Sequence, residues 1–207
     1  MWRKLFSQSP KRKQNPKFVI VVSGLPRSGT SMMMKMLAEG GIPIVTDEIR
    51  NADEDNPNGY YEFEPVKQLV NRQSNWLANE SGKAVKIISN ILEYLPPAYH
   101  YKVIFMQREI NEILASQQKM LTRRNEETGI SDEAMRQQFE QHLTAIKYWL
   151  GRQPNIDVLY VDYNRMVANA DEYCDRIAEF IDVPVDVGKM RAVPSERLYR
   201  NRSQQPK

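Results

Sequence analysis

Four short apolar runs, Phe18 to Val22, Ala84 to Ile88, Lys102 to Met106 and Asp157 to Val161, alternate with longer segments whose apolar residues recur at helical spacing. Short runs bounded by polar residues read as buried strands, and strands alternating with helices predict a three-layer α/β/α domain around a mostly parallel central sheet. Val19, Ile20, Val21 and Val22 are all β-branched, which suits a central strand covered on both faces. Helices are predicted from Ser31 to about Glu39, from Pro65 to about Asn79, along Glu109 to Leu121, from Ser131 onward, and from Asp171 to Ile181. Gly40, Gly41 and Pro43 end the first of these. Ser131 reads as an N-cap, and Met135, Phe139, Leu143, Ile146 and Leu150 form one apolar stripe behind it. Tyr173, Ile177 and Phe180 give the last helix a buried face, with Cys174 on the same side. Tyr160 reads as core by alternation within its strand. Between residues 51 and 59 the pattern lapses into polar turn formers, and a loop of this length in a compact domain is usually functional or mobile.

The first strand runs straight into Ser23-Gly-Leu-Pro-Arg-Ser-Gly-Thr-Ser31, and the helix follows at once. Glycines at 24 and 29 allow close backbone approach to a ligand, and the first N–H groups of the helix point toward an anion. This is the strand, loop and helix order of a phosphate-binding P-loop, and the spacing matches G-x-x-x-x-G-K-[ST] except that Thr30 stands where the lysine belongs. A triphosphate hydrolase uses that lysine on the terminal phosphates. Here the cation of the loop is Arg27, whose planar fork can hold two oxygens of a tetrahedral anion. A small-molecule or nucleotide kinase on a P-loop scaffold is therefore an alternative that the missing lysine disfavours. A non-catalytic nucleotide-binding module is a second alternative.

Pro26-Arg-Ser-Gly-Thr-Ser31 resembles the 5′-phosphosulfate loop of sulfotransferases that use 3′-phosphoadenosine 5′-phosphosulfate (PAPS), whose pattern is Pro-[Lys/Arg]-Ser-Gly-Thr-[Ser/Thr]. The arginine form is most similar to the tyrosylprotein and bacterial branches. The resemblance implies that Arg27, Ser28, Gly29, Thr30 and Ser31 hold the 5′ end of the donor. It also implies a second element, an arginine and a serine eight residues apart after a later strand, which bind the 3′-phosphate. Arg108, just past Met106, and Ser116 fill those places. Taken alone, Arg108 is also the kind of residue that caps a strand end or pairs with a glutamate, and a serine within a helix usually satisfies its hydroxyl on the preceding turn. The resemblance selects Ser116; residue chemistry alone does not.

Sulfuryl transfer needs a general base within reach of the acceptor hydroxyl. The small-phenol enzymes of the family supply it as a histidine in Lys-Thr-His, and this chain has Lys86-Ile-Ile88. In the tyrosylprotein branch the base is a glutamate in Gly-Glu-Glu-Thr-Arg, and alignment of the two loops places Thr46-Asp-Glu-Ile-Arg50 on that segment. Glu48 is thereby implied as the base, with Glu62, flanked by aromatic residues, and Asp47 as alternatives. Lys86 occupies the place of the family lysine that approaches the sulfuryl oxygens, so Arg27 and Lys86 join Glu48 as the implied catalytic set. Tyr163 matches the tyrosine that packs near adenine, whereas Met32 replaces the tryptophan that stacks on adenine in the small-phenol enzymes. No metal is implied: the donor is PAPS, the product 3′-phosphoadenosine 5′-phosphate (PAP), and arginine, lysine and N–H donors offset the charge.

The formal net charge is +3, but residues 1–17 hold six Lys or Arg and no acid, so the remainder carries 23 bases against 26 acids. The excess belongs to a basic leader over 1–17, read as a solvated, disordered segment rather than a nucleic-acid arm. A single sulfotransferase-like domain is expected over 18–202, with a tail at 203–207. No apolar stretch approaches the roughly 20 residues of a membrane span, and the N-terminus lacks the apolar core of a secretory signal. One cysteine suits a reducing cytoplasm. His100 and His142 are read as solvent-facing. The expected partner is a small-molecule or peptide acceptor, not a nucleic acid, and acceptor choice falls to the loop at 51–64 and the helices beyond it.

Overall fold

β-Branched and aromatic residues at every position of Phe18–Gly24 except its last two make β1 the natural centre of a sheet, and its burial is nearly complete. The computed structural model describes residues 17–47, 49, 59–126 and 129–194, the side chain of Arg124 apart. Residues 1–16 of the basic leader, residues 51–58 of the polar loop, the C-terminal arginines beyond Pro194 and the tail lie outside the described residues.

Around β1 the described strands are β2 (Ile44–Val45), β3 (Ala84–Lys86), β4 (His100–Gln107) and β5 (Ile156–Asp162). They stand in the order β2-β3-β1-β4-β5, and every pair is parallel. β2 escaped the sequence pattern because two residues are too few to show a period. β1 pairs with β4 along its full length, from Phe18 against His100 to Gly24 against Met106, so the two strands finish level.

Alternation along β1 feeds two cores. Ile20 and Val22 face α1 (Thr30–Glu39) and α5 (Ala170–Ile181), where Met32, Met33, Met34, Met36, Cys174 and Ile177 are buried. Each buried methionine contributes roughly 1.5–3 kcal/mol, and its unbranched stem fills irregular gaps. Val19 and Val21 face the other layer, Ile146 and Leu150 of α3 (Asp132–Leu150) with Leu69, Leu77 and Leu92. The three layers expected from the sequence are therefore present, with α2 (Ile110–Arg124) following β4 and two short helices, α4 (Tyr163–Ala168) and α6 (Val187–Arg191), added late in the chain. The Ser131 hydroxyl accepts from the Ala134 N–H and caps α3 as predicted.

Three expectations need correction. The helical period from Pro65 to Asn79 resolves into two 3₁₀ segments, Glu64–Asn71 and Asn75–Asn79, because Arg72 takes a left-handed conformation (φ 59°) that ends the first. Tyr160 is not core: β5 is the edge strand, and Tyr160 is partly exposed with its ring edge-on to Phe105 at 5.7 Å. His142 is half-buried rather than solvent-facing, its Nε2 lying 2.8 Å from the Ser89 hydroxyl.

Burial lowers the His142 pKa from its ordinary 6.5, against an opposing pull from Glu93. The unfolded chain then binds the proton more readily, so this contribution to stability is intact above about pH 6.5 and fades as pH falls through the lowered folded value. Replacement His142→Gln is expected to flatten the acid side of the melting-temperature profile, with the histidine titrating below 6.5 by NMR in the parent. A titration at or above the ordinary value contradicts this.

Candidate active site

Neighbouring parallel strands whose onward connections leave in opposite directions open a crevice at their carboxyl ends. β1 connects toward β2 and β4 toward β5, on opposite sides, so the crevice lies between β1 and β4. The loop with Arg27 leaves one strand there and Arg108 follows the other.

Three left-handed residues shape the loop: Gly24 (φ 145°), Arg27 (φ 70°) and Gly29 (φ 100°). The Ser28 N–H donates to the Leu25 carbonyl and closes the turn, and α1 begins at Thr30 behind Gly29, an N-cap residue with no side chain to cap it. Packing inside the protein also requires these glycines, a role the sequence expectation did not include. A Cβ at Gly24 would sit 2.6 Å from the Met106 carbonyl, and one at Gly29 would meet the Tyr163 ring, 2.8 Å from Cε2. The Ser28 side chain is 1% exposed and its hydroxyl has no hydrogen-bond partner. Such an orphaned hydroxyl costs about 1–3 kcal/mol, which an anion's oxygen would offset.

Across the crevice the second element joins the first directly. Arg27 Nε donates to the Ser116 hydroxyl at 2.9 Å, and Arg108 Nη1 donates to the Arg27 carbonyl at 3.1 Å. Ser116 lies within α2 and is buried. The sequence presented two separated pockets, whereas the structure makes them contiguous: Arg27, Arg108 and Ser116, 89 positions apart at the extremes, share one hydrogen-bonded rim.

Two neighbours were not singled out from the sequence. Glu112 accepts from Arg108 Nε at 2.9 Å in a nearly dry ion pair, the side chains being 8% and 1% exposed. Asn164 Nδ2 donates to the other Glu112 oxygen at 3.0 Å. The i,i+4 spacing of Arg108 and Glu112 was the available signal for the pair; nothing in the sequence points to Asn164. Tyr163, at the start of α4, is buried between Gly29 and the Arg108 guanidinium, whose carbon lies 4.5 Å from the ring centroid. Burial raises the Tyr163 pKa despite the nearby Arg108, so the phenol stays neutral.

On the far side of β1, Lys86 closes β3 opposite Val22 and donates to the Tyr60 carbonyl. The Glu62 carbonyl accepts from the Thr46 hydroxyl and the Asp47 N–H, at 3.0 and 3.2 Å, which ties this segment over the end of β2. Both Asp47 oxygens are taken by backbone, Oδ1 from the Ile49 N–H and Oδ2 from the Glu64 N–H. Chiefly the Glu64 N–H holds the Asp47 pKa below its usual value, a poor state for a base. Glu48 lies outside the described residues. Beyond Glu64 a groove of about 580 Å³ is lined by Pro65, Gln68, Arg72, Gln73, Asn75 and Trp76.

A parallel α/β sheet with a cationic, hydroxyl-bearing loop at its switch point defines an enzyme-like anion site of the P-loop class. The sequence profile of the sulfotransferase domain family matches residues 18–206. The chain belongs to that family and is an enzyme of sulfuryl transfer. Among solved structures it is similar to mouse sulfotransferase SULT7A1 complexed with PAP, at 13% identity and TM-score 0.56, over 91% of this chain and 69% of that one. The sulfotransferase domain of the Synechococcus PCC 7002 olefin synthase gives 14% identity and TM-score 0.54, covering 97% of this chain and 89% of that one. The sulfotransferase domain of the curacin biosynthetic pathway gives 15% and 0.51, covering 86% and 77%. At such identities the likeness speaks for the fold. A search of curated protein sequences finds no significant match. No helix among the described residues is long and apolar enough to cross a membrane.

Proposed function

We propose that the chain transfers a sulfuryl group from PAPS to a hydroxyl or amine of a small-molecule or peptide acceptor, releasing PAP. The observation that carries this is the single rim formed by Arg27, Ser116 and Arg108 at the β1–β4 crevice, where the family's 5′ and 3′ motifs meet. The residues fit the donor: the Ser28 hydroxyl is unpartnered, α1 begins behind a glycine that offers no side-chain cap, and two guanidinium groups converge on one crevice. Arg108 and Ser116 would receive the 3′-phosphate. Arg27, Ser28, Gly29, Thr30 and Ser31 would receive the 5′ end, with Tyr163 walling the nucleotide.

In the reaction the acceptor oxygen or nitrogen attacks sulfur, the bond from sulfur to the 5′-phosphate oxygen breaks, and the electron pair leaves with PAP. Arg27 and the α1 N–H groups stabilise charge growing on that phosphate, and Lys86 faces the transferring group from the β3 side. The acceptor proton goes to Glu48, with Glu62 as the second candidate. Asp47 is set aside because backbone N–H groups occupy both its oxygens. Arginine, lysine and backbone donors supply the positive charge, and no resident metal enters this reading. The acceptor's body is assigned to the side of β1 away from Arg108, where the groove from Glu64 to Trp76 sets the polar groups of Gln68, Arg72, Gln73 and Asn75 beside Pro65 and the Trp76 ring. A reducing, cytoplasmic setting accompanies the proposal: Cys174 is a buried thiol pushed up to about 11, chiefly by burial.

A panel of hydroxyl and amine acceptors incubated with sulfuryl-labelled PAPS tests the reading. Label should move to an acceptor, and Glu48→Gln should abolish the movement while leaving PAP binding intact. Full activity of Glu48→Gln would pass the role of base to Glu62.

A further inference from the structure

We infer that Glu112 is a positioning residue that fuses the two phosphate-facing pockets into one unit, so that its charge is felt at the 5′ end of the donor as well as at the 3′ end. This rests on the donor reading above. A carboxylate beside an anion site opposes the anion, and a carboxylate this deeply buried is costly unless every oxygen is matched. Both Glu112 oxygens are matched, by Arg108 from its own chain segment and by Asn164 from α4. What the pair provides is orientation. With Nε fixed on Glu112, the Arg108 plane lies over the Tyr163 ring and its Nη1 reaches the Arg27 carbonyl.

The second of these contacts ends in the loop, and the first reaches it through the Tyr163 ring. Arg27 is a non-glycine residue in left-handed backbone, a conformation that persists only where its surroundings enforce it, and Arg108 is the group bonded to its carbonyl. Gly29 lies under the Tyr163 ring, and the residue after Tyr163 is the Asn164 that steadies Glu112. One buried carboxylate therefore anchors the residues that hold two of the loop's three left-handed positions, Arg27 and Gly29, 80 or more positions earlier in the chain.

The test separates the two ends of the donor. Calorimetry is run with PAP, adenosine 3′-monophosphate and adenosine 5′-monophosphate on the wild type, Glu112→Gln and Glu112→Asp, at a temperature where all remain folded. Glu112→Gln is expected to weaken both monophosphates by a similar factor, about tenfold, the scale of moderate coupling between sites. Glu112→Asp, which keeps the charge, should recover part of both losses. A loss confined to the 3′-monophosphate, or no loss for either, overturns the inference. Should Glu112→Gln fail to fold, Asn164→Ala leaves the ion pair in place and should show the same two-ended weakening on a smaller scale, with a one-ended loss again overturning it. If wild-type protein binds PAP no better than adenosine, the donor reading itself has failed, visible before any variant is compared, and the inference falls with it.

Discussion

Arg108→Ala is expected to lower stability and nucleotide binding together. The Glu112 side chain, 1% exposed, would keep its charge or its protonation cost with no guanidinium beside it. Breaking a buried pair from one side typically costs about 3–5 kcal/mol. Thermal unfolding should register that loss as a fall of many degrees, and calorimetry with PAP should show no binding at concentrations that saturate the parent. The two effects can be pulled apart. A double replacement, Arg108→Met with Glu112→Leu, removes both charges in similar volume, and such exchanges are often neutral or stabilising. It should restore most of the melting temperature and none of the PAP affinity. Recovery of binding in the double variant would mean that Arg108 serves packing alone.

Arg27→Gly is expected to separate function from stability in the opposite sense. Arg27 sits at φ 70°, where glycine is at ease and an arginine is strained. Stability should hold or rise slightly, offset by loss of the bond from Arg27 Nε to Ser116. Transfer should fall by about 10²–10³-fold, the usual consequence of removing one donor aimed at developing charge. Arg27→Lys keeps a charge but not the fork, and should lie between the two. Steady-state transfer rates beside melting curves check the pair. Unchanged transfer in Arg27→Gly would take Arg27 out of the mechanism.

The strands were legible where burial on both faces left an unbroken β-branched or apolar run, as at Val19 to Val22, and the α3 helix was legible because Ser131 caps a clear apolar stripe. The segment from Glu64 to Asn79 misled because apolar spacing carries no record of backbone handedness: Val66, Leu69 and Leu77 are buried as a helix would bury them, yet Arg72 turns the chain out of it. Tyr160 misled because alternation describes a strand's two faces and says nothing of whether the strand lies at an edge. At the site, Arg27 and Arg108 were readable from motif and strand end. Their direct connection was not, since Arg27 and Ser116 are 89 positions apart and only the β1–β4 pairing brings them together. Glu112 is hard to read from sequence for a different reason. An acid next to an expected phosphate runs against simple charge matching, and its use becomes clear only when its two oxygens are seen bound to Arg108 and Asn164.

Calorimetry of PAP against ATP with magnesium bears most directly on the claim that the β1–β4 crevice holds both ends of one adenosine bisphosphate. Saturable PAP binding at one site per chain, lost in Arg108→Ala, is expected, with no comparable binding of magnesium-ATP. Tight magnesium-ATP binding with none of the bisphosphate would contradict it.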